Sequence, residues 1–412
     1  MDSTSKHIHI IGAGISGLIT AIALEKAGFK PTLIEASATV GGRVKTDVVD
    51  GYVLDRGFQV LLEAYPQAMK YLDYEGLALQ KLIPGAVIYK NGKQHTIGDP
   101  LRNLSLLLPT ITSSIGSIKD KLAIFKLNLA LKKKSVAAIF NEGSNTTTLE
   151  YLRAKGFSEA IISDFFKPFF SGIFLETELQ TPSKMFAFIY KMFGEGLAVL
   201  PKDGIGAIPN QLQAQLKNTR FLFNTAVKAV EEKGIILEDG TRLTTDITVI
   251  ATESAKLLNK KQLVAWKSCD TLYFTVEKDS LKRPIIGLVA DEGALINNLF
   301  FTTSIQNNNR STGAVLSVTV VKAHGLTEEA LIQKVAQELE TLCGIKTLQC
   351  IKRYQIKRAL PKLNAVKHVA TVADIKYSET IYLAGDHTLN GSLNAAMTSG
   401  ELVAKQIISD LA

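Results

Sequence analysis

The sequence predicts an α/β fold: a Rossmann-like domain assembled from separated stretches of chain, with an inserted α+β domain that carries a helical subdomain. Three observations predict it. The first 35 residues read as strand, glycine turn, helix and strand. The final stretch from Ile381 reads as strand, Gly-Asp, loop and helix. Between them lie a helical, then aromatic-rich run over 101–193 and a β-rich run over 221–321. A length of 412 residues allows two to three domains and a large core without disulfide or metal staples.

The elements follow in order. His7 to Ile11 is a short β-rich run, and Gly12-Ala13-Gly14-Ile15-Ser16-Gly17 turns the chain into an apolar helix over Leu18–Ala27. Gly28 suits the position just past its C-terminus. Thr32-Leu33-Ile34 is a second strand, closed by Glu35. Residues 101–140 read as helical and basic, with Lys119, Lys121, Lys126, Lys132, Lys133 and Lys134 against Asp120 alone. The aromatic run contains Phe165, Phe166, Phe169, Phe170, Phe174, Phe186, Phe188, Tyr190 and Phe193. It serves either as the core of the helical subdomain or as the lining of an apolar tunnel. Glu238-Asp239-Gly240 between apolar runs predicts a hairpin, and 247–251, 271–276 and 314–321 predict strands. Helices are expected over Thr327–Leu342 and from Leu393 to Ile408.

The first motif carries chemistry. In Gly12-x-Gly14-x-x-Gly17 the first glycine permits the tight turn, the second lets backbone approach a pyrophosphate, and the third packs helix on strand. The helix N-terminus, at Ile15 and Ser16, offers free N–H groups and partial positive charge to phosphate. Glu35, 18 residues after Gly17, can accept hydrogen bonds from ribose hydroxyls. These features predict a dinucleotide site and leave NAD and FAD open. At the other end a buried strand closes in Gly385-Asp386. The carboxylate there can bond ribityl hydroxyls or a phosphate-linked water. A helix starting near Leu393 and Asn394 can stabilise negative charge on a reduced flavin.

Further segments decide between the cofactors. Gly41-Gly42-Arg43 follows Glu35, then Leu54-Asp55-Arg56-Gly57-Phe58. With the closing run Gly385-Asp386 and Gly391 to Glu401, the chain resembles the flavin-containing amine oxidase superfamily, which includes protoporphyrinogen oxidases and phytoene-desaturase-like enzymes. Ala198 to Pro209 is similar to a glycine-rich block of these enzymes, with Lys202-Asp203-Gly204 where a second glycine is common. The resemblance implies FAD. It places Gly42 and Arg43 at the pyrophosphate, Gly57 and Phe58 near the flavin ring, Ala36 beside Glu35, and the backbone of Val227 at the adenine. It implies an FAD-binding domain of 1–62 plus 198–262 plus 359–412, and a substrate domain of 63–197 plus 263–358, helical over about 100–197.

Catalytic residues are not assigned. Amine oxidases of this superfamily place a lysine on a strand comparable to Cys269–Phe274. This chain has none there, and Lys267 lies just upstream. Leu363 stands where a tyrosine is common, and Tyr354 could supply one ring beside the flavin. The expected function is therefore an FAD-dependent oxidoreductase (oxidase, dehydrogenase or desaturase) that takes a hydride equivalent from a C–N or C–C bond of a small or apolar organic substrate, with the lean toward apolar, unsaturated or cyclic ones. The alternative is a non-catalytic binding protein similar to Rab GDP dissociation inhibitors; the intact phosphate-approach glycines favour the enzyme. His387, beside Asp386, is either near the cofactor or an ordinary loop histidine.

Composition bounds the rest. Net charge is +8, pI about 9.1 and mean hydropathy +0.14. The charge concentrates in 119–134 and 352–367, the latter read as lacking acidic neighbours. Basic residues are not interleaved with aromatics, which argues against nucleic acid. Peripheral contact with an anionic membrane fits 119–134, as does a plain solvated face. No apolar run is long enough to span a bilayer, and the polar first seven residues predict no secretory leader. Three cysteines without a C-x-x-C point to a reducing, cytoplasmic compartment. The six histidines show no metal-ligand spacing.

Overall fold

The computed structural model describes residues 6–142, 146–259, 264–305 and 313–412. The polar start at 1–5 and the boundary expected at 262/263 lie outside the described residues. The α/β expectation holds. Five strands form one parallel sheet in the order Arg220–Leu222, Thr32–Ile34, Ile8–Ile11, Ile247–Ile250, Ile381–Leu383. Strand Ile247–Ile250 is buried along its whole length, as near-continuous apolar runs in parallel sheets require.

Two helices cover one face of this sheet. Ile15–Lys26 starts three residues earlier than its apolar pattern indicated, immediately after Gly14. It packs on the C-terminal helix Leu393–Leu411 at a close crossing, where a Cβ on Gly400 would stand 2.4 Å from the Ser16 carbonyl oxygen. Thr20 Oγ1 also donates to the Gly400 carbonyl at that crossing.

A second, seven-stranded sheet runs Thr347–Pro361, Trp266–Val276, Ala314–Val320, Ile296–Phe301, Ile286–Val289, Gly85–Lys90, Lys93–Gly98. It is antiparallel except where Ile286–Val289 runs beside Gly85–Lys90. Helix Glu328–Cys343 packs on it, capped by Thr327. The predicted hairpin forms from Gly234–Leu237 and Arg242–Thr244.

The helical stretch expected over 101–140 is built of short pieces. Leu107–Thr112, Ile118–Lys132 and Val136–Glu142 are separate helices. Ser117 and Asp120 form a capping box that starts the second. The aromatic run splits between both of its expected uses. A π turn over Ile162–Phe166 leads into helix Lys167–Phe174. Phe166, Phe170 and Phe174, spaced by four, are at most 1% exposed and belong to the main core. Phe165 and Phe169, one position earlier each time, face the large cavity described next.

The basic stretch 352–367 is not free of acids. Arg353 meets Asp270 at 2.7 Å, Arg358 meets Glu253 at 2.5 Å, and Lys367 meets Asp374 at 2.6 Å. Each partner is distant in sequence or on a neighbouring turn, so a local reading of charge missed them.

Candidate FAD site and adjoining apolar cavity

One cavity of about 1520 Å³ runs from the parallel sheet's C-terminal edge to the helical region. Ligands of open α/β sheets bind at this edge. Gly12, Gly14, Ile15, Ser16, Glu35, Gly42, Arg43, Gly57, Phe58, Gly385, Asp386 and Leu393 all line it. Residues from both ends of the chain therefore meet at one wall, joined by Ala251 and Thr252 from its middle. Gly17, Ala36, Val227 and Asn394 lie off that wall. The Asn394 side chain is buried and accepts from the Gln67 N–H, which ties the C-terminal helix to Pro66–Tyr71. Val227 pairs with Leu237 and packs against the apolar cluster that contains Ile235 and Ile250.

The residues fit an FAD diphosphate and ribose on their own geometry. A Cβ added to Gly14 would meet nothing within 4 Å, so it would stand in the cavity itself. Gly42, at φ +59°, closes the other side, with its Cβ direction 3.3 Å from Gly14 Cα. No side chain caps the helix that Gly14 opens, which leaves its first N–H groups facing the cavity. Gly17 has a different duty: its Cβ would be 2.0 Å from the Gly12 carbonyl oxygen.

Glu35 is more committed than its position in sequence suggested. Its Oε2 accepts from Ala13 N–H, and its Oε1 accepts from the backbone and hydroxyl of Ser37. A carboxylate has about four acceptor sites, so one is left for a ribose hydroxyl.

Arg43 and Asp386 meet at 2.5 Å, and Asp386 is buried. The Arg43 guanidinium also lies 5.1 Å from the Trp266 ring centroid and donates to the Ala359 carbonyl. His387 lines the same wall. Burial holds its imidazole below the ordinary value, opposed by Asp386 and reinforced by Arg43.

Beyond this wall the cavity turns apolar. Phe165, Phe169, Phe193, Tyr190, Ile286 and Leu288 line it. Asn298 Nδ2, donating to Thr319 Oγ1, supplies a polar patch on the same wall. Cys269 also lines it, its thiol pushed up to about 12 by burial. Tyr354 lines it too, and its hydroxyl donates to Asp47, itself forked to Arg56. Lys267 is elsewhere: its Nζ donates to the Phe174 carbonyl and the Thr181 hydroxyl, beside a separate 120 Å³ cavity that Leu363 also lines. Sequence reasoning missed Trp266, Asn298 and Thr319; of the three only Thr319 lay in an expected strand, 314–321.

The sequence profile of flavin containing amine oxidoreductases matches residues 15–408. This chain belongs to that family.

Family membership makes FAD the cofactor of this chain. The chain is 26% identical over 174 residues to protoporphyrinogen oxidase 2 of Arabidopsis thaliana, a match covering 41% of this chain and 32% of that protein. It is 33% identical over 164 residues to an L-amino-acid oxidase of Daboia russelii, covering 37% and 32%. These matches thus span about a third of the relatives' lengths. A crystal structure of an oxidoreductase from Methanosarcina mazei shares the fold, with TM-score 0.75 and 15% identity over 97% of this chain and all of that one. Among the described residues of this family member, no helix is long and apolar enough to cross a membrane.

Proposed function

We propose that this chain is an FAD-dependent oxidoreductase that takes a hydride equivalent from a C–C or C–N bond of a bulky apolar substrate. One observation carries the substrate class: the cavity that begins at Gly14 and Asp386 continues, without a dividing wall, into a compartment lined by phenylalanines and branched aliphatics. Bound FAD supplies a ring that accepts the hydride equivalent. The chain's own residues bind, orient and dehydrate. The first-turn N–H groups after Gly14 and the Arg43 guanidinium receive the diphosphate, and Glu35 receives a ribose hydroxyl. Asp386 accepts from a ribityl hydroxyl. Leu393 and Ala396, at the start of the C-terminal helix, bring its positive end toward the flavin edge. Phe165, Phe169 and Phe193 exclude water from the substrate.

The engagement of Lys267 with backbone and Thr181 supports a substrate other than a simple amine, because no lysine ammonium of that strand reaches the cavity. The relatives act on unlike molecules by their names, a protoporphyrinogen and an L-amino acid, and the cavity's apolar lining supports the first kind over the second. We further propose the division into an FAD-binding part (1–62, 198–262, 359–412) and a substrate part (63–197, 263–358).

The test is anaerobic rapid mixing of the FAD-loaded protein with porphyrinogens, carotenoid precursors and simple amines. Bleaching of the visible flavin band by the apolar compounds is expected. Bleaching by simple amines alone would overturn the substrate class. A colourless protein that cannot be reconstituted with FAD would overturn the oxidoreductase reading.

A further inference from the structure

Large apolar side chains are concentrated on one surface. Sixteen are exposed among the described residues, and nine of these fall between Leu101 and Leu129, each 44–80% exposed. Chance scattering over the surface would put about one there. Five of the nine, Leu101, Ile111, Ile118, Leu122 and Phe125, also line the large cavity. The patch is therefore the cavity's rim.

Helix Ile118–Lys132 shows how the patch is built. Its inner face, with Leu127 and Leu131, is buried in the core. Its outer face carries Ile118, Leu122, Phe125 and Leu129, spaced by four, three and four, so they form one stripe. A helix apolar on two opposite faces needs a partner on the outer one. Helical geometry sets Lys119, Lys126 and Lys133 along one side of the stripe and Lys121 and Lys132 along the other. Lys121 is fixed in place by donating to the carbonyls of Ile111 and Ser113, which ties this helix to the preceding one. Between 101 and 140 there are seven basic residues and one acid, Asp120. That acid is buried, capping the helix at Ser117 and accepting from Ser158.

We propose that this rim docks on an anionic phospholipid surface, with the stripe in the acyl boundary and the lysines at the headgroups, so that the cavity opens toward the lipid. The docking chemistry is that of an amphipathic interfacial helix flanked by cations, whose aliphatic stems reach past the apolar boundary while their charges stay with phosphate. It also explains why the rim side chains are apolar where water would otherwise meet them. The proposal rests on the reading of the cavity as a site for apolar substrates, and adds the phase from which they come.

The test mixes FAD-loaded protein with vesicles of phosphatidylcholine alone and of equimolar phosphatidylcholine and phosphatidylglycerol, followed by sedimentation. Binding to the anionic vesicles is expected, weakened by salt. The variant Lys119→Glu/Lys126→Glu/Lys133→Glu should lose about a hundredfold or more in partitioning. Replacing the same lysines by arginine should retain it. Leu108→Glu/Leu129→Glu, at positions outside the cavity lining, should lose about tenfold or more with FAD occupancy unchanged. Equal binding to neutral and anionic vesicles, or undiminished binding by both glutamate variants, would overturn the proposal. So would absence of vesicle binding together with a solution dimer that these variants dissociate, which would make a second copy the occupant. Vesicle binding requires no turnover. Its failure would leave the substrate class standing, and failure of apolar compounds to bleach the flavin would leave the docking result standing.

Discussion

Gly14 and Gly17 sit three residues apart in one turn and answer to different constraints. A methyl at Gly14 would enter the cavity, while one at Gly17 would strike the Gly12 carbonyl at 2.0 Å. Gly14→Ala should therefore leave the melting temperature nearly unchanged and weaken FAD binding at least tenfold, read by flavin fluorescence titration. Gly17→Ala should lower stability itself, by about 2 kcal/mol or more, because backbone must shift. Equal melting temperatures for the two variants would refute this separation. Residue types in this turn were legible from sequence because the chemistry is local: glycine spacing, a carboxylate at a strand end, a Gly-Asp step. The Arg43–Asp386 pair was not legible as a pair, since 343 residues separate its members. Nor was the near-saturation of Glu35, which depends on Ser37 turning back toward it.

The antiparallel hairpin of Thr46–Val49 and Tyr52–Asp55 is fastened to the 204–206 turn by one carboxylate. Asp55 Oδ1 accepts from Thr46 Oγ1 and from Ile205 N–H, and Thr46 Oγ1 in turn accepts from Gly206 N–H. Burial outweighs these bonds and pushes the Asp55 carboxyl up to about 6. A carboxyl whose value is raised on folding favours the protonated folded state. Its contribution is fully present below about pH 4 and is lost as pH rises through about 6. The full loss is about 3 kcal/mol. Denaturant melts between pH 4 and 7 should show this decline, and Asp55→Asn should flatten it. Asp47, Asp120 and Asp374 are held low by their hydrogen-bond partners and act in the opposite sense, at more acid pH. A curve equally steep in the Asn variant would assign the decline to another group. At this scale, elements with strong local signals emerged where expected, such as the hairpin at Asp239 and helix Glu328–Cys343. The long strand Thr347–Pro361 was read only as scattered residues, because its pairing with Trp266–Val276 shifts register three times.

The parallel sheet gathers strands from residue 8 to residue 383, so its closure depends on contacts across nearly the whole chain. Such non-local pairing is costly to form before it is rewarded. A cofactor touching Gly14, Arg43 and Asp386 together would stabilise that closure. FAD at a hundredfold excess over its Kd should raise unfolding free energy by about 2.7 kcal/mol. Thermal melts with and without added FAD measure it, and no shift at saturating FAD would contradict a site that spans these segments. The discontinuous architecture itself was legible, since its motifs lie at both ends and in the middle. The continuity between the glycine turn and the phenylalanine compartment was not, because no residue pattern encodes an empty volume.

The chain has a single tryptophan, and it stands on the cavity wall with Arg43 over its ring. Indole emission overlaps flavin absorption, so energy transfer to a bound isoalloxazine would dim that one residue without interference from others. Its indole N–H is buried without an acceptor among the described residues, which makes the band sensitive to whatever comes to lie against it. The molecule thus carries a native optical probe at its site, and a loading curve for this family member can be read without labels from the ultraviolet emission of Trp266.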